Sequence, residues 1–425
     1  MKWNRQEWAW AFYDWANSVY ALLVMTAFFP FLLSHHVEVS GGGQSPTVVL
    51  GFANAIASFI VVLLAPLVGA LGDQYGARRK WLAAFAMLGI LATFSLSLVS
   101  SGEPLWAAFV FVLGNIGFAL ANGLYDALIV NVTSRDRLDR LSALGFALGY
   151  FGSLLLFIAA YLATQNPGWF GLDDAIEAMR VSFVAAALWW LIFTIPLLRA
   201  AIDEAPLGKP DATVSEHLRA ALVELKDTFH EIRRYRNAAL FLLAYWLYMD
   251  GVYTVIKMAV IYSEARGFGA TVPMVGILLV QIIAIPATLA YGRLAGRFGA
   301  KRMIMIGIVA YLLVTGGAPF MDRPEHFYIL AAVIGLAQGG LQSLSRSMYA
   351  RLIPADESGK YFGFYNMVGK ASAVLGPLMM AGLALMLGER LSILAIPVLL
   401  IAGLLIMRHV EDVAETAPDG AERPA

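Results

Sequence analysis

Runs of about 20 apolar residues recur along the whole 425-residue chain, at roughly 9–33, 48–71, 81–99, 105–130, 141–163, 181–198, 238–262, 272–294, 303–321, 327–348, 362–387 and 391–407. At ~1.5 Å of rise per residue each run spans a hydrocarbon core of ~30 Å. Lipid offers no partner to backbone polar groups, so a spanning segment must be a helix or belong to a closed barrel. Barrel strands are shorter and alternate in polarity, and these runs do neither. The chain is therefore expected to be an all-α polytopic membrane protein of twelve transmembrane helices. Its composition, 60% hydrophobic and 14% charged with a mean hydropathy of +0.70, exceeds what a soluble domain carries.

Lys and Arg orient the segments. Twelve spans leave both termini on one side. The loops and termini of that side hold 24 of the 30 basic residues, including Arg78, Arg79, Lys80, Arg135, Arg137, Arg140 and the seven from Arg199 to Arg236. The opposite loops hold Arg180, Arg266, Arg323 and Arg390, and Lys257 and Lys370 lie inside spans. The basic side is expected to be cytoplasmic, and the setting a bacterial inner membrane. The formal net charge is zero and there is no Cys, so neither a nucleic-acid partner nor thiol chemistry is indicated. The first span is too long for the apolar core of a cleavable leader.

The chain also repeats. GALGDQYGARRK (Gly69 to Lys80) returns 223 residues later as GRLAGRFGAKRM (Gly292 to Met303). Gly69, Leu71, Gly76, Arg78 and Arg79 correspond to Gly292, Leu294, Gly299, Lys301 and Arg302, while Asp73 corresponds to Gly296. Each copy reads as a tight, basic, glycine-built turn between two apolar helices. This gives a bundle over 1–198, a connector over 199–237, a second bundle over 238–407 and a tail over 408–425. In the connector, Thr213 and Glu216 form a capping box, and Leu218, Leu222, Leu225, Phe229 and Ile232 share one helical face. An amphipathic helix tethering the halves is expected there, and a disordered tail beyond the last span.

Polar residues inside the spans fall in stripes spaced by three, four or seven. Helix one carries Asp14 and Asn17, helix four Asn115, Asn122 and Asp126, helix seven Asp250, Thr254 and Lys257, and helix ten Gln338, Gln342, Ser345 and Arg346. Helices three, six, nine and twelve carry no charge, Asn or Gln between their ends. Each first helix of a three-helix cycle should face a wet interior and each third helix lipid, because charge in a span persists mainly where it meets a cavity or a partner.

The loop after helix two matches in full the Gly-x-Leu-x-Asp-x-x-Gly-x-Arg-Arg motif of the major facilitator superfamily, and the whole chain resembles that family of secondary transporters. YDWANSVY (Tyr13 to Tyr20), GFALGYFG (Gly145 to Gly152), YWLYMDGVYT (Tyr245 to Thr254) and the stretch from Ser345 to Pro377 look like the branch of autophagy-related vacuolar amino-acid effluxers and their bacterial relatives. At the end of helix four this chain has Asp126 and no Pro, where that branch often has Asn and Pro. The resemblance implies two pseudo-symmetric six-helix bundles around a central cavity lined by helices one, four, seven and ten. It implies that Asp73 faces the N-terminus of helix eleven as part of a cytoplasmic gate with Gly69, Gly76, Arg78 and Arg79. Gly292, Gly299, Lys301 and Arg302 form the second copy, whose contact with helix five should be weaker without the Asp.

Within the cavity, Asp250 and Lys370 lie at similar depth and are expected to pair, as a functional or a structural ion pair. Asn17 aligns with Asp250 (NSVY on DGVY), and Tyr150 aligns with Lys370 on the offset that also pairs Arg140 with Lys360. Asp14 and Asp126 lie about 10 Å inside the basic face. They are expected either to carry a proton between them or, by preference, to pair with a loop Arg such as Arg135 or Arg140. Asn122, Thr254, Gln338 and Gln342 complete the candidate lining. Lys257 and Arg346 are expected to snorkel from span ends. His35, His36 and Glu38 are read as a solvated outer loop rather than a metal site. Gly376-Pro377 is expected to kink helix eleven. No P-loop pattern points to ATP, and no cofactor is indicated.

These features point to a secondary active transporter of a small polar solute, amino acids or small peptides by resemblance. It is read as proton-coupled, with export favoured, and as a monomer whose partners are the solute, protons and membrane lipid. A lipid-moving or sensor protein on the same scaffold is the alternative. A polytopic membrane enzyme is a weaker one, since the six His do not cluster beyond His35 and His36.

Overall fold

The computed structural model describes residues 2–41, 43, 45–202, 236–265, 267–269, 271–372 and 375–411, with isolated positions between 203 and 235. The expected connector helix and the tail from residue 412 lie outside the described residues. Among the described residues, twelve helices are long and apolar enough to cross a membrane: α1 (Arg5–Val39), α2 (Pro46–Tyr75), α3 (Arg78–Leu96), α4 (Pro104–Val132), α5 (Arg135–Gln165), α6 (Ala175–Arg199), α7 (Arg236–Ala259), α8 (Thr271–Phe298), α9 (Ala300–Phe320), α10 (Pro324–Leu352), α11 (Ser358–Leu387) and α12 (Arg390–Arg408). Each overlaps one of the apolar runs along most of its length, and the described residues include no strand.

Local chemistry sets several ends. Asn4 and Glu7 form a reciprocal capping box at the start of α1, through bonds of 2.8 and 2.7 Å. Pro46, Pro104 and Pro324 open α2, α4 and α10, where a missing N–H costs nothing. Gly76 closes α2 in the left-handed region at φ +54°, which costs glycine little.

Two helices depart from regularity. Residues Tyr20–Phe28 of α1 are π-helical, and the Thr26 hydroxyl donates to the Ala21 carbonyl at 2.8 Å. α11 is discontinuous, with one helical stretch over Ser358–Ala371 and another over Leu375–Leu387. The interruption begins before Gly376-Pro377 rather than at it. The expected outer loop at His35–Glu38 is instead the last turn of α1, and His36 is fully buried there.

α1–α6 and α7–α12 form two six-helix bundles. α1 packs on α5 and α6, and α3 on α4; in the second bundle α7 packs on α12 and α8 on α10. Between bundles, α2 packs against the first stretch of α11, α5 against α8 and α10, and α4 against α11. Among the described residues, the second stretch of α11 makes its main contacts within its own bundle, on α7 and α12. It exposes Leu378, Leu385 and Met386. The bundles thus close on the face of the glycine turns and diverge toward the other.

Candidate functional site

The α2–α3 turn forms the outermost layer of this closure. Asp73 is fully buried, and its carboxylate faces the first turn of α11. Gly359 N–H donates to Oδ1 at 3.0 Å and Lys360 N–H to Oδ2 at 2.7 Å. The N-terminus of a helix presents unsatisfied N–H groups and the positive end of its dipole, which is why a carboxylate is stable there. Arg78 Nε donates to Asp73 Oδ1 at 2.6 Å, while its other nitrogens reach Asn131 Oδ1 and the Asp356 carbonyl, each at 2.8 Å. A Cβ on Gly69 would overlap the Gly359 carbonyl, and one on Gly363 would lie 2.6 Å from Pro66 Cα. Those glycines let α2 and α11 touch along their backbones.

Arg79 is not part of that contact. Its Nε donates to Glu204 Oε1 at 2.6 Å and it also bonds the Ala200 carbonyl, so it holds the chain leaving α6 within the same bundle. At the second turn, Gly299 has φ +86° and Lys301 Nζ donates to the Arg408 carbonyl at 2.8 Å, again within one bundle. Gly292 packs on α5, where an added Cβ would lie 3.1 Å from the Asp139 carbonyl. The carboxylate that the second copy lacks is supplied from the opposite side. Asp139 of α5 accepts from Ser347 and, at 2.7 Å, from Arg351 of α10.

A second layer lies about 10 Å deeper by helix rise. Arg346 of α10 is buried and reaches into the first bundle. Its Nη1 donates to Asp126 Oδ1 at 2.9 Å, Nη2 to Asp14 Oδ2 at 3.1 Å and to the Ser142 carbonyl at 3.0 Å, and Nε to Ser142 Oγ at 2.9 Å. Ser142 donates in turn to the Ser343 carbonyl, and Tyr125 OH donates to Asp14 Oδ2. The guanidinium lies 4.4 Å from the Phe146 ring centre and 4.7 Å from that of Trp10. A planar, weakly hydrated cation suits such a site. Arg346 therefore does not snorkel, and the partner of Asp14 and Asp126 is neither Arg135 nor Arg140. A loop Arg would have to reach inward from the membrane face, whereas Arg346 sits at the carboxylates' depth on its own helix.

Farther in, Asn17 donates to Asn122 Oδ1 between α1 and α4. Tyr150 OH donates to Gln342 Oε1 at 3.3 Å, and Asn366 Nδ2 to the Ala119 carbonyl at 2.6 Å, both between bundles. Gln338 accepts from Tyr311 OH at 3.5 Å.

The expected Asp250–Lys370 pair does not form. Asp250 is fully buried and caps the second stretch of α11. Leu375 N–H donates to Oδ2 at 3.0 Å, Gly376 N–H to Oδ1 at 2.7 Å, and Thr254 OH to Oδ1 at 3.3 Å. The broken helix exposes amide donors at the depth of the carboxylate, and these satisfy it in place of an ammonium.

Arg346, Ser142, Asp139 and Asn366 escaped the candidate set. Arg346 had a usable signal. It continues the α10 polar stripe, and it is six residues from the end of its helix, as Asp126 is from the end of α4. Among the described residues no group of three His, Asp or Glu could hold a metal.

Comparison with known proteins follows the same lines. The family model described as "Vacuole effluxer Atg22 like" matches residues 34–134 and 130–418. An uncharacterised MFS-type transporter of Bacillus subtilis, YxiO, is 35% identical over 99% of this chain and 98% of its own length. Autophagy-related protein 22 of Coccidioides immitis is 24% identical, over 89% of this chain and 82% of its own. Among solved structures, the proton:xylose symporter XylE has a TM-score of 0.70 at 15% identity, covering 96% of this chain and 95% of that one. The human organic anion transporter MFSD10 has a TM-score of 0.69 at 16% identity, covering 95% and 99%.

Proposed function

The chain belongs to the Atg22-like family of major facilitator transporters, and from that premise we propose that it moves a small polar solute by alternating access, coupled to protons. The solute class is amino acids or small peptides, and export is the favoured direction, following the effluxer relatives. The membrane is a bacterial inner membrane, with the basic face and both termini cytoplasmic. On that orientation the bundles, closed at the glycine turns, stand in an outward-facing arrangement.

The observation that carries proton coupling is the Arg346 cluster. One guanidinium meets two carboxylates, Asp14 and Asp126, inside the membrane and across the bundle interface. The trio carries a net charge of −1 when both acids are ionised. A proton on either acid neutralises it and weakens the hold of Arg346 on the first bundle. Protonation then favours parting of the bundles on this face, and loss of the proton favours their closure.

The test is flux of a labelled amino-acid mixture in proteoliposomes with and without an imposed pH gradient. The wild-type chain should respond to the gradient, and Asp126→Asn should transport with that response lost. Flux in Asp126→Asn with an unaltered gradient dependence would remove the cluster from the coupling step.

A further inference from the structure

We propose that the seam between α2 and the second stretch of α11 binds one alkyl chain of a membrane phospholipid, taken from the leaflet on the side where the bundles diverge. The two seams that join the bundles differ in how far they stay shut. On one side α5 is bonded to the second bundle at four levels. Asp139 accepts from Ser347 and Arg351, and Ser142 donates to the Ser343 carbonyl at 2.7 Å. Tyr150 donates to Gln342 at 3.3 Å, and Ser153 accepts from Gln281 of α8 at 3.2 Å. These four residues share one face of α5. Ser153 lies about 27 Å from the start of the helix by its rise, and both it and Gln281 are buried.

On the other side the close approaches lie on the first stretch of α11. Gly69 meets Gly359, and Gly363 meets Ala65 and Pro66. Beyond them the same face of α2 is bare. Gly69, Val62, Ala55 and Gly51 follow one another at spacings of seven, seven and four, so they form one stripe. Gly69 is buried, Val62 half-buried, and Ala55 and Gly51 exposed. A Cβ added at Gly51 would meet no neighbouring helix within 4 Å, and the same holds at Gly382 of α11. The second stretch of α11 buries only Gly376 and Met380 among its described side chains, which lie on one narrow line against its own bundle. Leu385 is 91% exposed. The break in α11 therefore turns its second stretch away from α2 at a depth where the α5–α8 seam is still bonded.

The chemistry of the walls selects the occupant. α2 from Pro46 to Gly72 and α11 from Leu375 to Leu387 carry no charge. The Asn54 amide is turned back on the Leu50 carbonyl of its own helix at 3.0 Å. Water in such a gap would lie against hydrocarbon on both sides, and an empty gap would forfeit dispersion contacts. The bilayer borders the seam at this depth, and one of its alkyl chains fills it without either cost. Uncharged walls give a headgroup no partner, so the headgroup stays at the membrane surface. The site is the same whatever solute is moved.

The chain has no native Cys, so bimane can be placed singly at Ala55→Cys, at Gly382→Cys, or at Leu313→Cys on the lipid face of α9. Each labelled full-length protein in detergent is titrated with phosphatidylcholine brominated on its acyl chains. The Ala55 and Gly382 reporters should be quenched saturably, at tenfold less lipid or lower than the Leu313 reporter, whose quenching should only track the lipid content of the micelle. Unbrominated phosphatidylcholine should reverse the effect, and glycerophosphocholine, which has the headgroup but no chains, should not. Gly51→Trp, which fills the open space, should raise the lipid needed at the Gly382 reporter at least tenfold. Matching titrations at all three reporters would overturn the site, as would iodide quenching at Ala55 undiminished by lipid, which would mean that water fills the seam. If one labelled variant fails to fold, the reporter on the opposite wall decides.

Discussion

Replacing Asp73 by Asn should shift the chain toward the arrangement in which the bundles part at the glycine turns. The ion pair with Arg78 lies within one bundle and persists when the bundles separate. The bonds from Gly359 and Lys360 cross between bundles and exist only in the closed arrangement. Each hydrogen bond to a buried charged acceptor contributes about 1.5–3 kcal/mol. Asn has one acceptor oxygen, so at most one neutral bond of about 1 kcal/mol survives. The closed arrangement therefore loses about 2–5 kcal/mol, and the lower end alone moves the equilibrium roughly 30-fold. The chain has no native Cys, so spin labels at Lys80→Cys and Arg297→Cys report the separation of the two turns without background. Double electron–electron resonance should show one short distance in the Asp73 protein and a second, longer population in Asp73→Asn. Identical distance distributions would refute the assignment of the Asp73 contact as a latch.

Gly359→Ala should mimic Asp73→Asn in the same measurement, because its Cβ would overlap Asp73 Oδ1, whereas Gly296→Ala should be silent, its nearest neighbour being Arg140 at 3.7 Å. Arg346→Ala should lower the unfolding midpoint in detergent, since removing one partner of a buried ion cluster costs about 3–5 kcal/mol; a midpoint equal to wild type would mean that water already solvates the site. Asp250→Asn should keep α11 folded through one acceptor, while Asp250→Ala should leave two amides unmet and cost about 0.5–2 kcal/mol, as loss of a helix cap does. Protection of the Leu375 and Gly376 amides from hydrogen exchange separates the two outcomes.

Much of this architecture was legible along the chain. The lengths of the apolar runs set the number of helices, and the uneven spread of Lys and Arg distinguished one face. The repeated glycine turn marked two related halves, and the single motif Asp pointed to where α2 and α11 meet. Each of these is a property of one segment read alone, because helix rise and periodicity are the same in any context. Partner choice was not legible in the same way. Depth along a helix says which groups share a layer but not which of them face each other, so Asp14 and Asp126 were set against loop arginines while Arg346 waited in their own layer. The sequence pairs Asp250 with Lys370 because side chains are visible in it and backbone amides are not. Only the fold breaks α11 after Ala371 and turns the freed amides of Leu375 and Gly376 toward the carboxylate. A buried charge is satisfied by whichever donor the tertiary structure brings within about 3 Å, and in this protein the donors are backbone amides at Asp73 and Asp250 and an arginine of the other bundle at Asp14 and Asp126.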